Sequence, residues 1–427
     1  MNSDEPSFSR LRQSEIYING ISGQKPVVPI SYIELKEAAE KKLSKEAFSY
    51  LAGGAGQETT ISKNREAFKH WSIQPRMLRD VSALDTSIEL LGHRYPVPFL
   101  LAPIGVLGLF HKEADKEVAQ ASAAEGVPMI FSSQASVSME KCAAVMDDAP
   151  RWFQLYWSTS NKLVKSFVKR AENCGCQAIV LTLDTTMLGW RTRDLDLAYL
   201  PFLLAKGIAQ YTSDPVFKEL MEEHRDEDPD REKSITFSAI CSLFKMSRNY
   251  PGSTFRNLVS GEPMRAVRTF IKTYSRPSLT WENLSFLRGI TDLPILLKGI
   301  LHPDDARKAV EYGMNGVIVS NHGGRQVDGA IPALGALPSI TTAVDGEIPV
   351  FFDSGIRTGA DIFKALALGA NAVLLGRPYA YGLSLAGREG VREVIQNLRA
   401  DFELTMGLSG IKSIDKITAN PLESMKI

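Results

Sequence analysis

Cysteine is scarce in this sequence, four residues in 427. Cys174-Gly175-Cys176 has no further ligands at metal-site spacing. Neither a disulfide framework nor a bound metal is expected, and the thiols read as reduced. Charge of either sign in excess is absent too, with 49 Lys+Arg balancing 49 Asp+Glu. Without a basic field there is nothing to hold nucleic acid or an anionic membrane. No apolar run approaches the ~18 residues of a membrane span. The opening MNSDEPSFSR carries no apolar signal core, and the closing ESMKI is not a peroxisomal address. The expectation is a cytoplasmic protein with no membrane or nucleic-acid partner. Apolar residues make up 44% of the chain, enough at this length for one large core.

Residues 1–30 are polar, with Gly20, Gly23, Pro26 and Pro29, and read as an extended arm. Ser31 and Glu34 stand at capping-box spacing. They open a helix carrying Ile33, Leu35, Ala38, Ala39, Leu43, Ala47 and Phe48, which should stop at Gly53-Gly54. Tyr50 lies just before the stop. From residue 97 eight short apolar runs follow: Phe99–Ala102, Met129–Ser132, Trp152–Leu155, Ile179–Thr182, Ile295–Lys298, Val317–Ser320, Val350–Asp353 and Ala372–Gly376. Most are separated by helix-length patterns such as Ala114–Gly126 and Thr358–Gly369. Eight such units predict an α/β fold, a (β/α)8 TIM barrel; a doubly wound open sheet is the rival. The expected single domain has an N-terminal arm and helical segment at 1–96, a barrel at 97–191 and 277–400, and an insertion at 192–276. The interval between Asp184 and Ile295 is far longer than one helix requires. It is rich in charge, most of all in EEHRDEDPDREK at 222–233, with helical pieces at Phe217–His224 and Ile235–Phe244. A long insertion after strand 4 reads as a lid.

In a barrel the residues that follow each strand face the active site. Here those ends are polar or glycine-rich: Ala102-Pro103-Ile104-Gly105, then Ser132, then Gln154 and Tyr156, then Thr182, Asp184 and Arg191. Lys298 follows strand 5. Ser320, His322 and Arg325 follow strand 6, Asp353-Ser354-Gly355 and Arg357 strand 7, and Gly376-Arg377 strand 8. A histidine, whose ordinary pKa near ~6.5 suits proton transfer, stands three residues from an arginine, whose planar fork fits a carboxylate. That pairing suggests proton removal from a carboxylic acid. Gly355 and Gly376 permit close backbone approach, and Arg357 and Arg377 can pair with a phosphate, the group barrels often place after strands 7 and 8. Ser132, Gln154 and Thr182 are neutral donors and acceptors that suit a flat heterocycle. Lys298 could steady negative charge on a reduced flavin. The lesser alternative is that it forms a Schiff base in a flavin-free, phosphate-binding lyase or isomerase.

The blocks QLY, LTLDT, LLKG, SNHGGRQ, DSGIRTGADIFKALALGA and LLGRP occur in this order. From about residue 25 to 410 the chain resembles the FMN-dependent L-2-hydroxy acid oxidase and dehydrogenase family. APIGV at 102–106, YLAGGAG at 50–56 and LGWRTRD at 188–194 look most like its lactate 2-monooxygenase branch. The resemblance implies FMN at the C-terminal ends of the strands. It implies His322 as base with Asp184 as its partner, Arg191 and Arg325 on the substrate carboxylate, and the Tyr50 and Tyr156 hydroxyls steadying the substrate. Lys298 corresponds to a cation near the flavin, and Asp353, Arg357 and Arg377 to the ribityl and phosphate site. The implied substrate is a small, lactate-like L-2-hydroxy acid with oxygen as electron acceptor, in a homotetramer or larger homo-oligomer. The implied product is a 2-oxo acid, released with peroxide or decarboxylated in place. Gln134 departs from the tryptophan of glycolate oxidase, and Gly105 from the alanine of several oxidases.

Overall fold

The computed structural model describes residues 6–224, 237–418 and 422–424. Eight parallel strands close into a barrel: β1 (Phe99–Leu101), β2 (Met129–Phe131), β3 (Arg151–Leu155), β4 (Ile179–Thr182), β5 (Ile295–Ile300), β6 (Gly316–Val319), β7 (Val350–Phe352) and β8 (Ala372–Leu375). Closure is direct, Leu374 of β8 standing opposite Leu100 of β1. Each apolar run predicted as a strand is one. The largest difference is in β5, which continues to Ile300 with a register shift against β6 between Lys298 and Ile300. Gly299 sits in that irregularity at φ 107°, and a Cβ there would stand 2.9 Å from the Cβ of Asp184. Only glycine lets the strand bend at this point while Asp184 stays close behind it.

Alternate side chains along the strands fill the barrel: Leu100, Ile130, Trp152, Val180, Leu296, Ile318, Phe351 and Leu374 form one buried cluster. Trp152 meets Phe351 edge-on at 5.6 Å. Side chains of this kind each contribute about 1.5–3 kcal/mol on burial, so the interior is a packed plug and the chemistry is confined to the rim. A hairpin of Ile88–Leu90 and His93–Tyr95 adds Leu90 and Tyr95 to the plug, and the Tyr95 hydroxyl donates to Gln177 Oε1 at 2.9 Å, just before β4. That closes the N-terminal mouth.

Two N-terminal readings need correction. The arm is not extended throughout: α1 (Phe8–Ile21) is a helix capped by Ser7. It is fastened by polar contacts, Ser9 N–H to Glu403 Oε2 at 2.6 Å and Arg12 to Asn397 and Glu393. Apolar periodicity does not reveal a helix that buries polar atoms. The helix expected from Ser31 to Gly53 is two, α2 (Tyr32–Lys42) and α3 (Lys45–Ala52). Ser31 makes no side-chain cap bond; Ser44 caps instead, accepting from Ala47 N–H at 3.2 Å. α2 buries Leu35 and Ala39 and α3 buries every residue from Ala47 to Ala52, so apolar residues recur on both sides of the break and the pattern does not mark it. The stop at Gly53 is where expected, with α4 (Thr59–Lys69) beyond it.

The insertion carries helices at Pro215–Glu223 and Phe237–Asn249, close to the two expected pieces, and others that include Thr254–Ser260 and Glu262–Thr273. Residues 225–236, which include most of the charged run 222–233 and the start of the second piece, lie outside the described residues. Among the described residues no helix is long and apolar enough to cross a membrane, and no cluster of His, Cys, Asp and Glu is placed to hold a metal.

Candidate active site

The loop after β6 puts His322 at φ 56°, a left-handed conformation that side chains other than glycine seldom take. A hydrogen-bond network holds it there. Ser320 Oγ accepts from His322 N–H at 3.0 Å, and Asn321 Oδ1 accepts from Gly324 N–H at 3.1 Å. Asn321 and Asn64 of α4 exchange two amide bonds of 2.8 Å. A Cβ at Gly324 would meet Ile61 N at 2.8 Å, so the loop is pressed against α4.

His322 Nδ1 lies 2.8 Å from Asp184 Oδ1, which also accepts from Thr185 Oγ1 at 2.9 Å. Burial would raise the Asp184 pKa, but the charges of His322 and Lys298 bring it down to about 2. Asp184 is therefore an anion and Nδ1 the donor, which leaves the lone pair on Nε2. Burial lowers the His322 pKa below its ordinary value, outweighing the pull of Asp184. At neutral pH the ring is an uncharged base.

Two arginines flank the Tyr50 ring, Arg325 at 5.0 Å and Arg191 at 6.0 Å from its centroid. Arg325 donates to the carbonyls of Tyr50 at 2.6 Å and Gly53 at 2.9 Å. Arg191 donates to the Arg325 carbonyl at 3.4 Å and to Gln326 Oε1 at 3.2 Å. Burial and the neighbouring Arg191 charge push the Arg325 pKa down to about 9, so it remains a cation at neutral pH. Neither arginine forms an ion pair among the described residues. Asp194 is close enough to feel both charges but bonds to neither arginine, so two cations on one cavity still present planar forks that suit a carboxylate. Burial, aided by the Asp184 charge, pushes the Tyr156 phenol up, so it stays a donor.

The cavity itself, about 370 Å³, is lined by Ala102 to Gly105, Tyr50, Tyr156, Arg191, Lys298, His322 and Arg325, and by Asp353 to Arg357, Gly376 and Arg377. Lys298 Nζ donates to Ser320 Oγ at 2.9 Å and lies 3.1 Å from Asp353 Oδ2. Burial would deprotonate it, but Asp353 and Asp184 raise its pKa, so it stays an ammonium. A protonated amine is no nucleophile, which removes the ground for the Schiff-base alternative. Ser132, Gln154, Thr182 and Ser320 stand one step back at the cavity's edge: Ser132 accepts from Gln134 N–H and meets Gln154, Thr182 stands opposite Lys298, and Ser320 accepts from Lys298.

Those groups bear on the cofactor. Gln154 Nε2, Thr182 Oγ1 and Arg357 Nε are buried without a partner in the protein. Each orphan costs about 1–3 kcal/mol unless something satisfies it. A planar heterocycle with a phosphate tail fits them. Gly376 leaves space toward Ala102, where a Cβ would have 4.0 Å, and Gly355 adopts φ 112°. Arg377 is more heavily engaged than a free phosphate ligand, donating to the carbonyls of Leu51, Gly53 and Gly323 at 2.9–3.0 Å.

Gln134, which stands where glycolate oxidase has a tryptophan, lines the pocket, and so does Leu188. A Cβ at Gly105 would stand 3.0 Å from Gln134 Cβ and 3.2 Å from its carbonyl, so alanine here would shift the β2 loop by a few tenths of an ångström. Sequence reasoning missed Gln326, although it belongs to SNHGGRQ. Its Nε2 donates to the carbonyls of Asp184 and Met187 at 2.7 and 2.9 Å, joining the loops after β4 and β6. The lid expected from the insertion does cover the pocket, through a roof of Leu200, Phe202, Phe270, Ile271 and Tyr274, residues that the sequence did not single out.

A family model described as FMN-dependent dehydrogenase matches residues 39–424. The L-lactate oxidase of Lysinibacillus sphaericus is 41% identical over 408 residues, 96% of each chain. Human 2-hydroxyacid oxidase 1 is 35% identical over 399 residues, covering 92% of this chain and 98% of its own. The crystal structure of mandelate oxidase with (S)-4-hydroxymandelic acid superposes with a TM-score of 0.75 at 36% identity, covering 92% of this chain and 98% of that one.

Proposed function

The chain belongs to the FMN-dependent dehydrogenase family of 2-hydroxy acid oxidoreductases, and from that premise we propose that it oxidises a small, lactate-like L-2-hydroxy acid to the 2-oxo acid with oxygen as electron acceptor. The observation that carries this is one cavity holding a neutral His322, an Asp184 anion 2.8 Å behind it and two arginines that form no ion pair among the described residues. Arg191 and Arg325 bind the substrate carboxylate. Tyr50 and Tyr156 steady the hydroxyl end. His322 Nε2 takes the hydroxyl proton, and Asp184 stabilises the imidazolium that forms. Fixing the substrate between clamp and base supplies much of the rate. FMN, when bound, supplies the two-electron acceptor. Ala102 to Gly105, Ser132, Gln154, Thr182 and Ser320 would hold its ring, Lys298 would place a positive charge beside it, and Asp353 to Gly355, Arg357, Gly376 and Arg377 would hold its tail.

The roof supports a second outcome. Leu200, Phe202, Phe270, Ile271 and Tyr274 cover the cavity and would retain the 2-oxo acid beside newly formed peroxide. The two then react to give an acid one carbon shorter, carbon dioxide and water. Incubation with L-lactate in air, with products quantified, separates the outcomes. Acetate exceeding pyruvate is expected if the roof retains the product; pyruvate and peroxide in equal amounts would leave simple oxidation with release. No bleaching of the flavin by L-lactate or a panel of other 2-hydroxy acids without oxygen would sink the proposal itself.

A homotetramer or larger assembly is the companion proposal. It is supported by large apolar side chains left exposed: Leu11, Ile18 and Ile21 on one face of α1, and Met77 and Leu78 on the loop after Trp71–Ile73. Sedimentation velocity at micromolar concentration should find no monomer; a single monomeric boundary would refute it.

A further inference from the structure

Behind the roof lies a second, larger cavity of about 1280 Å³. Residues 197–207 form the partition between the two. Leu200 faces both cavities and Phe202 lines the first, while Tyr199, Leu203 and Lys206 line the second. The partition is held in costly backbone, with Ala198 at φ 46° and Ala205 at φ 56°. Such residues keep their conformation only because the structure around them holds it, so what packs behind the segment matters.

The second cavity is strongly cationic. Among the described residues Lys112, Lys206, Lys245 and Arg248 line it against one acid, Glu46, a formal balance of three positive charges, with Lys112, Lys245 and Arg248 exposed at its edge and Lys206 set deeper. Among the described residues none of the four cations forms an ion pair. Lys206 is half-buried, and burial together with the Lys245 charge lowers its pKa. An ammonium withdrawn from water beside a second cation is unfavourable unless an anion sits with them. The active-site cavity, with two arginines, suits a single carboxylate. This one, with three charges in excess, favours a multivalent anion over the monocarboxylate substrate.

We propose that this cavity binds a small multivalent oxyanion, of the phosphate or polycarboxylate class, and that its occupancy sets the position of Leu200 over the substrate. The site is separate from the FMN-binding cavity and does not depend on which hydroxy acid is oxidised.

The test uses the full-length, FMN-loaded protein, titrated calorimetrically with inorganic phosphate and separately with citrate, ionic strength held with sodium chloride. Saturable uptake of one anion per chain is expected, and the tighter of the two names the class. Lys206→Ala and Lys245→Ala should each weaken it about tenfold, a loss of about 1.4 kcal/mol, with Lys206→Arg close to the parent. Flavin absorbance, unchanged in all three variants, shows that they fold. The anion should shift KM for the hydroxy acid in the parent and not in the alanine variants. Absence of saturable binding overturns the proposal. So does binding that survives both alanine substitutions, which would assign the anion to Arg191 and Arg325. Binding lost in the variants while KM never responds keeps the site and overturns its coupling to Leu200.

Discussion

Replacing His322 with glutamine is expected to leave FMN bound and to lower turnover by about 10²–10⁴-fold, the usual contribution of a positioned base. The side chain touches the cavity, but the loop that holds it is fixed by Ser320, Asn321 and Asn64, so its removal should not open the flavin site. Stopped-flow reduction of the flavin by L-lactate measures the effect, and near-normal reduction would remove His322 from the chemistry. The pH profile carries a second check. The base must be neutral, and burial lowers its pKa, so kcat/KM should be flat at neutral pH and fall only as pH drops below the ordinary ~6.5 of histidine. Asp184 raises that pKa. Asp184→Asn should therefore move the acid limb to still lower pH while reducing the plateau, because the imidazolium loses its counter-charge. An acid limb that moved upward would contradict the assignment.

How much of this was legible beforehand follows from what each residue buries. A barrel strand is covered on both faces, so its apolar run is its own signature, and all eight runs became strands. The polar residues just past them converge because the barrel allows no other direction. Helix α1 was illegible for the opposite reason: Ser9 and Arg12 bury polar atoms against Glu403, Glu393 and Asn397, and no periodic pattern records that. The break at Leu43-Ser44 was hidden because α2 and α3 both carry apolar residues at short intervals right up to it. The roof residues sit on an insertion whose contacts, such as Phe202 with Phe270 at 5.2 Å, join positions far apart in the chain. SNHGGRQ pointed to a base and a carboxylate clamp, but the part of Gln326 in tying Arg191 to the Asp184 loop depends on geometry alone.

The second large effect is expected at Lys298. Its side chain is 4% exposed and that of Asp353 is 11% exposed, so the 3.1 Å pair between them is effectively inside the protein. Lys298→Met would strand the Asp353 carboxylate without its cation and also remove a charge that holds Asp184 ionised. Breaking a buried pair from one side costs about 3–5 kcal/mol, whereas replacing both partners with neutral groups is often far milder. The expected order of thermal midpoints is therefore parent, then Lys298→Met/Asp353→Asn, then Lys298→Met alone. Turnover should follow a different order. Both variants lack the cation proposed to stand beside FMN, so both should be slow, however well the double variant folds. A double variant that recovers stability and not turnover separates the structural charge of Lys298 from its catalytic one. If it were as unstable as the single variant, Asp353 would not be the group that needs Lys298. If it turned over like the parent, the ammonium would be serving the fold alone.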